Sequence, residues 1–210
     1  MTMSIARAPF AVGLAALVGV AGAATAEPFN GGYVGAELGW QQDRPRTSVR
    51  VGAPPFSQTN TGSSFAYGGV LGYDAKVGPG FVLGAEASLT DDSGKIGGPR
   101  GLEYDTGRTF GLAARAGVLA TPETLIYGRG GWVNGRFTVD EGVNSRSRNR
   151  DGWTLGGGIE QMLAPHVSAK VEYRYSRFKS LPARATDVSV DDATARFGRN
   201  QIMAGINYRF

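Results

Sequence analysis

The chain has 210 residues, 33 of them glycine and none cysteine, with a formal charge of +4 and 19% charged residues. That length is enough for one domain. The lack of cysteine excludes a disulfide scaffold, a zinc–thiolate site and a thiol nucleophile, and the modest charge, spread without a basic block, excludes nucleic acid as a partner.

Residues 1–26 read as a secretory leader. Arg7 is the only charge ahead of an apolar, small-residue core at 10–23, which is too short to anchor the chain in a bilayer. Ala24-Thr25-Ala26 has the small-x-small pattern of a processing site, so cleavage is expected between Ala26 and Glu27. No cysteine follows that point, so no lipid anchor is expected there. Beyond the leader no run of about 20 apolar residues occurs, and no membrane-spanning helix is predicted.

The rest of the chain alternates with period two, the signature of strands with two different environments. Residues 31–41 place Val34, Ala36, Leu38 and Trp40 on one face and Glu37 on the other. Residues 42–63 are polar, with three prolines, and read as a long loop. Residues 64–77 alternate again, with Phe65, Tyr67, Leu71, Tyr73 and Val77 set against small residues, Asp74 and Lys76. Gly78-Pro79-Gly80 is a tight turn. Residues 81–90 return with Leu83, Ala85, Ala87 and Leu89 facing one way and Glu86 the other. A second loop spans 91–105.

Residues 106–119 turn Phe110, Leu112 and Val118 outward and Arg115 inward. A turn at Thr121-Pro122-Glu123 leads into 124–139, where Ile126, Gly128, Gly130 and Trp132 face out and Arg129 faces in. The glycines there leave room for a bulge near Gly131. A third loop spans 140–150. Residues 151–162 set Trp153, Leu155 and Ile159 against Glu160. After a turn at 163–166, residues 167–177 alternate most cleanly: Val167, Ala169, Val171, Tyr173 and Tyr175 against Ser168, Lys170, Glu172, Arg174 and Ser176. A fourth loop covers 179–198. The last strand, 201–210, carries Ile202, Ala204, Ile206, Tyr208 and Phe210 on one face.

Eight strands, three tight turns and four long loops thus alternate strictly. Pro79, Pro122 and Pro165 recur at an interval of 43 residues, so one hairpin plus one loop is the repeating unit. Short turns at one end and long loops at the other are the pattern of a transmembrane barrel, with periplasmic turns and extracellular loops. A soluble, lipocalin-like barrel would bury its bulky apolar face. Here the charged face is the one crowded with Gly, Ala and Ser, and the apolar face carries aromatics near its ends. The fold expected is an eight-stranded antiparallel up-and-down transmembrane β-barrel over residues 27–210.

The alternating terminal strand, ending Gly205-Ile206-Asn207-Tyr208-Arg209-Phe210, resembles the OmpA-like small outer-membrane barrels. The glycine-rich strands Tyr127-Gly128-Arg129-Gly130-Gly131-Trp132 and Gly156-Gly157-Gly158-Ile159-Glu160 resemble the porin-family outer-membrane immunogenic proteins of Gram-negative bacteria. The resemblance implies an outer-membrane location. It also implies that Tyr208 and Phe210 form an assembly signal read by the barrel assembly machinery. No peptidoglycan-binding domain follows the barrel in the sequence, so the wall-tethering role of full-length OmpA is not expected.

The inward charges Glu37, Glu86, Arg115, Arg129, Glu160, Lys170, Glu172 and Arg174 fall within a few residues of a turn or of a strand start at the turn end. At about 3.3 Å per residue they share one layer. An eight-stranded barrel is just wide enough inside for side chains to fill it, and charges buried there must pair. A mixed salt-bridge plug is therefore expected, either a static filler or a gate for small ions. The resemblance to OmpA-like barrels makes Glu86, Arg115, Glu160 and Lys170 its gate residues.

No catalytic, cofactor or metal site is predicted. The single histidine, His166, lies in a turn at the periplasmic end, and can serve neither a triad nor a metal cluster. Arg44, Arg46 and Arg50 in the first loop and Arg146, Arg148 and Arg150 in the third form loose basic patches. Their reading is either a solvated loop or contact with lipopolysaccharide or an extracellular ligand. Envelope architecture with surface exposure is the expected role, with a narrow low-conductance pore and a loop-borne adhesin as alternatives.

Overall fold

The computed structural model describes residues 27–51, 53–59, 62–93, 95–97, 103–141, 144–182 and 193–210; the leader, and with it Ala26, lies outside the described residues. Ten strands form one antiparallel sheet: β1 (Gly31–Val51), β2 (Ala53–Thr59), β3 (Gly62–Lys76), β4 (Phe81–Asp92), β5 (Lys95–Gly97), β6 (Glu103–Thr121), β7 (Thr124–Glu141), β8 (Asn144–Ala164), β9 (Val167–Pro182) and β10 (Ala193–Arg209). Eight of them run β1-β3-β4-β6-β7-β8-β9-β10, and β10 pairs back onto β1. The sheet is therefore a closed barrel with no free edge in its wall. The short strands β2 and β5 pair only with the outer parts of β1 and β6.

Alternation decides which side chain goes where. Along the barrel strands most bulky apolar side chains face out and most polar ones face in, with Val82, Leu125, Met162 and Met203 among the inward apolar exceptions. Leu155, Val171, Ile202 and Ile206 are all more than half exposed, whereas Glu37, Glu160, Glu172 and Lys170 are no more than 3% exposed. This inverts the order of a protein folded in water and suits a wall surrounded by lipid. Large aromatics ring the wall near the hairpin end: Trp40, Phe65, Phe110, Trp132, Trp153 and Tyr175 share the outward phase. Phe110 packs edge-on to Trp132 at 6.2 Å, and Trp153 to Tyr175 at 5.6 Å.

Two differences from the sequence reading have physical causes. The stretches read as four long loops are largely extensions of the strands: β1 continues to Val51, β8 begins at Asn144, and β7 and β8 stay in register out to Glu141 and Asn144. Beyond the bilayer both faces of a hairpin are polar, so the two-period contrast that marks a strand in sequence vanishes. The bulge expected near Gly131 is absent. Gly131 pairs in unbroken register with Ala113 and Thr154, and β6 shifts register instead at Thr106/Thr109 and Leu119/Thr121.

The tight turns hold the other end. Val77 N donates to Phe81 O at 2.9 Å across a turn in which Gly78 takes a φ of 90°, a conformation that suits glycine. The Thr121 hydroxyl donates to Thr124 Oγ1 at 2.7 Å across the Pro122-Glu123 turn. At this end residues 27–30 fold into the barrel mouth. Phe29, with a φ of 59°, is fully buried against Val82, Leu125, Tyr127 and Met162. Such a backbone is unfavourable for a residue with a Cβ, and it is held by this burial and by the Arg209 guanidinium 4.7 Å above the ring.

Candidate functional site

The functional candidate is the lumen, where all eight predicted interior charges lie buried. They do not form a single layer. Two tiers occupy the turn half, and a third lies toward the hairpins.

In the lowest tier Arg115 is central. Its Nη2 donates to Asp74 Oδ2 at 3.0 Å and to Glu160 Oε2 at 2.9 Å, and its Nη1 donates to the Tyr33 hydroxyl at 3.2 Å. Arg209, from the last strand, donates to the same two acids at 2.9 and 2.7 Å. Ser168 and Asn207 complete the shell of Glu160 at 2.6 and 2.9 Å. The Arg115 guanidinium also sits 4.5 Å from the Tyr127 ring and 5.1 Å from the Tyr33 ring, where cation–π attraction adds to ion pairing.

The middle tier holds three acids and three bases. Arg174 grips both oxygens of Glu37 at 2.6 Å each, a fork geometry, and its Nε also bonds Glu172. Arg129 Nη1 bridges Glu86 at 2.9 Å and Glu172 at 2.8 Å. Lys170 donates to Glu86 at 3.0 Å and lies 3.6 Å from Glu37. The Tyr127 hydroxyl donates to Glu172 at 2.6 Å, and the Tyr33 hydroxyl donates to Glu86 at 3.0 Å, tying the two tiers together. Glycines on the inward face make room for these long side chains. A Cβ on Gly72 would overlap the Tyr33 ring, and one on Gly84 would overlap the Asp74 carboxylate.

The third tier joins the hairpin half. Arg199 donates to Asp43 at 2.8 and 3.3 Å and to the Thr109 hydroxyl at 3.1 Å. Gln41 donates to Asp43 and Asp92 at 3.0 and 3.2 Å, and Gln201 donates to Gln41 at 2.9 Å. Between this tier and the middle one is a cavity of about 20 Å³ bordered by Arg129, Arg174 and Arg199 and by hydroxyls of Ser88, Thr154 and Ser176. That is room for a water molecule among polar groups.

Of the four residues that the resemblance groups, Arg115 pairs with Glu160 and Lys170 with Glu86. The sequence reading leaves Asp74, Arg209, Tyr33, Tyr127 and Asn207 out of the interior network, although it sets Asp74, Asn207 and Arg209 opposite the apolar face. Asp74 and Arg209 share the inward phase of the charges that were found, so alternation alone could have added them. Asp43 went unseen because its segment reads as loop, and Arg199 because it falls between the fourth loop and the last strand as read. His166 is more than a solvated turn residue: its Nδ1 is 2.8 Å from the Arg209 carbonyl oxygen, and its ring stacks on Tyr208 at 5.6 Å. Tyr208 in turn packs edge-on to Phe210 at 5.3 Å. Of the two basic patches, Arg44 bonds Gln42 at 2.8 and 3.1 Å, and Arg150 lies in the inward phase of β8. The side chains of Arg46, Arg50, Arg146 and Arg148 lie outside the described residues.

Known proteins agree with this architecture. The 25 kDa outer-membrane immunogenic protein of Brucella canis is 26% identical over 180 residues, covering 86% of this chain and 78% of the relative. The 31 kDa outer-membrane immunogenic protein of Brucella melitensis biotype 1 is 27% identical over 203 residues, covering 87% and 84%. A 22 kDa outer membrane protein of Rhizobium leguminosarum bv. viciae is 26% identical over 164 residues, covering 76% and 75%. Among solved structures, Neisserial surface protein A superposes with a TM-score of 0.53 at 15% identity, over 86% of this chain and 98% of that one, which is a likeness of fold. Residues 10–210 match the family described as "Outer membrane protein beta-barrel domain", and the chain belongs to that family, as an eight-stranded barrel of the Gram-negative outer membrane.

Proposed function

We propose that this barrel is an architectural element of the outer membrane, with a sealed lumen, no catalytic activity, and hairpins presented to the exterior. The observation that carries this reading is the packing of the two lower tiers. Five acids (Glu37, Asp74, Glu86, Glu160, Glu172) face five bases (Arg115, Arg129, Lys170, Arg174, Arg209), and none of the ten is more than 6% exposed. Phe29 closes the periplasmic mouth beneath them. A charge-balanced, close-packed filler replaces the hydrophobic core that a lipid-facing wall cannot have. Each of these carboxylates is engaged by a guanidinium or ammonium group, so none is free as a general base. His166 is committed to the Arg209 carbonyl and Tyr208 on the periplasmic side.

The test is planar-bilayer recording of refolded protein whose gel mobility shifts on boiling. The expected result is no steady channel. A reproducible unitary conductance would overturn the sealed-lumen reading in favour of a narrow pore for small ions, and Lys170→Ala, which unties Glu86 and Glu37, would then raise it further.

A second reading, recognition of an extracellular ligand, is favoured by the length of the hairpins. β8 runs nine residues beyond its girdle residue Trp153 to Asn144, roughly 30 Å of strand. The immunogenic relatives support surface presentation. Export by the leader with cleavage after Ala26, and assembly directed by Tyr208 and Phe210, belong to the same proposal. Both aromatics stand on the outer wall at the periplasmic end, accessible to an assembly partner.

A further inference from the structure

The outer wall is not electrostatically uniform just above its aromatic girdle. On the β6–β9 side, Phe110, Trp132, Trp153 and Tyr175 form a continuous aromatic row. One or two outward positions further toward the exterior stand Arg108, Arg136, Arg177 and Lys179, all exposed. In register Arg177 faces Trp153 across β8 and β9, and Arg136 faces Asn149 across β7 and β8, so the bases flank the aromatic row. Asp151 is the one acid in this row among the described residues, and it accepts a hydrogen bond at 2.9 Å from its cross-strand neighbour Asn134. Among the described residues none of the four bases has an ion-pair partner.

The opposite wall differs. At the same height on β10, β1, β3 and β4 the outward described charges are Arg44, bonded to Gln42, and Asp91. Among the described residues one side therefore carries four bases against one acid, and the other carries one against one. Aromatic rings settle at the lipid–water interface, so the bases sit where the headgroups of the outer leaflet begin. Three strand spacings separate β6 from β9, roughly 14 Å, a span suited to a disaccharide phosphorylated at both ends.

We propose that the outward row Arg108, Arg136, Arg177 and Lys179, above the Phe110–Trp132–Trp153–Tyr175 aromatics, binds the phosphorylated glucosamine headgroup of outer-leaflet lipopolysaccharide. Guanidinium forks grip phosphate oxygens, and the aromatic row below receives the start of the acyl chains. The site belongs to the wall, so it stands whether or not the lumen conducts.

The full mature barrel, refolded in neutral detergent, is titrated with lipid A and with dephosphorylated lipid A while tryptophan fluorescence is followed, since Trp132 and Trp153 lie under the site. Lipid A is expected to bind at least roughly tenfold tighter than its dephosphorylated form, with an affinity that falls as salt rises. Combining Arg136→Gln with Arg177→Gln should weaken lipid A binding about fivefold or more, whereas Arg44→Gln on the opposite wall should change it less than about twofold. Equal binding of the two glycolipids overturns the proposal. So does equal weakening by Arg44→Gln, and so does a fluorescence change that inorganic phosphate alone reproduces, which would mark a site for free anions. If the double variant does not refold, the two glycolipids compared on the unaltered protein decide the matter.

Discussion

The periplasmic and extracellular halves of the lumen are built from the same residue types on the same strands, yet they pack differently. In the periplasmic half each guanidinium touches two or three partners, and tyrosine rings stack on Arg115 and Arg209. In the extracellular half Arg199 bonds Asp43 and the Thr109 hydroxyl and lies 3.8 Å from Asp92 and 5.7 Å from the Phe178 ring, and serine and threonine hydroxyls border a water-sized cavity beside it. The difference lies in hydration. The lower tiers sit above Phe29 and across the middle of the bilayer, where unpaired charge is most costly. The upper tier, with Arg129 and Arg174 at the top of the middle one, borders a cavity that water can fill, whereas the lowest tier does not.

The largest effect should come from the lowest tier. Arg115→Ala leaves Asp74 and Glu160 sharing Arg209 alone and removes the cation from between Tyr33 and Tyr127. Breaking such a buried network by removing one partner destabilises by about 3–5 kcal/mol. Urea unfolding of the barrel in lipid vesicles, followed by tryptophan fluorescence, measures it. A loss no larger than that of an upper-tier variant would remove the distinction between the halves.

Phe29→Ala tests the seal below that tier. It takes away a fully buried ring at the barrel mouth, where collapse and water entry soften the loss, so the expected cost is about 2–3 kcal/mol, at the low end for a buried aromatic. Arg199→Ala sharpens the comparison from above. Arg199 borders the cavity, so its removal opens Asp43 to water, and the substitution should cost only about 1–2 kcal/mol in the same assay.

The halves also differed in how far they could be read. Where a strand separates lipid from lumen, every second residue changes character. Glu160, Lys170, Glu172 and Arg174 were therefore placed inward from alternation alone, as was Arg129 despite its glycine neighbours. Alternation gives phase but no partner. The pairing of Arg174 with Glu37, on strands far apart in sequence, came only with the closed barrel. Arg209 was passed over because the terminal strand drew attention to its aromatic face. Asp43 and Arg199 stand where the wall rises out of the bilayer and both faces become polar, so no contrast marked them as interior. Phe29 precedes the first strand, and nothing in the local pattern shows that a segment of four residues turns back into the mouth.

The smallest effect is expected where charge meets bulk water at the periplasmic rim. Lys76 Nζ donates to Glu27 Oε1 at 2.7 Å, and both side chains are partly or largely exposed. The hydrogen bond from Lys76 and the charge of its ammonium hold the Glu27 carboxyl below its ordinary value, with Asn30 adding a weaker bond at 3.4 Å. A carboxyl lowered by folding favours the folded state at pH values above its unfolded pKa, about 4.3, and that contribution fades as pH falls through the lowered folded value. Lys76→Ala should therefore unfold at a slightly lower urea concentration than the parent at pH 7, and the two midpoints should converge below about pH 4. Raising the salt concentration at pH 7 should narrow the same gap, because both partners are reached by solvent ions. A gap that persisted at low pH and high salt would mean that Lys76 acts through its aliphatic stem, packed over the mouth that Phe29 fills, and the rim would then belong with the buried half of the lumen.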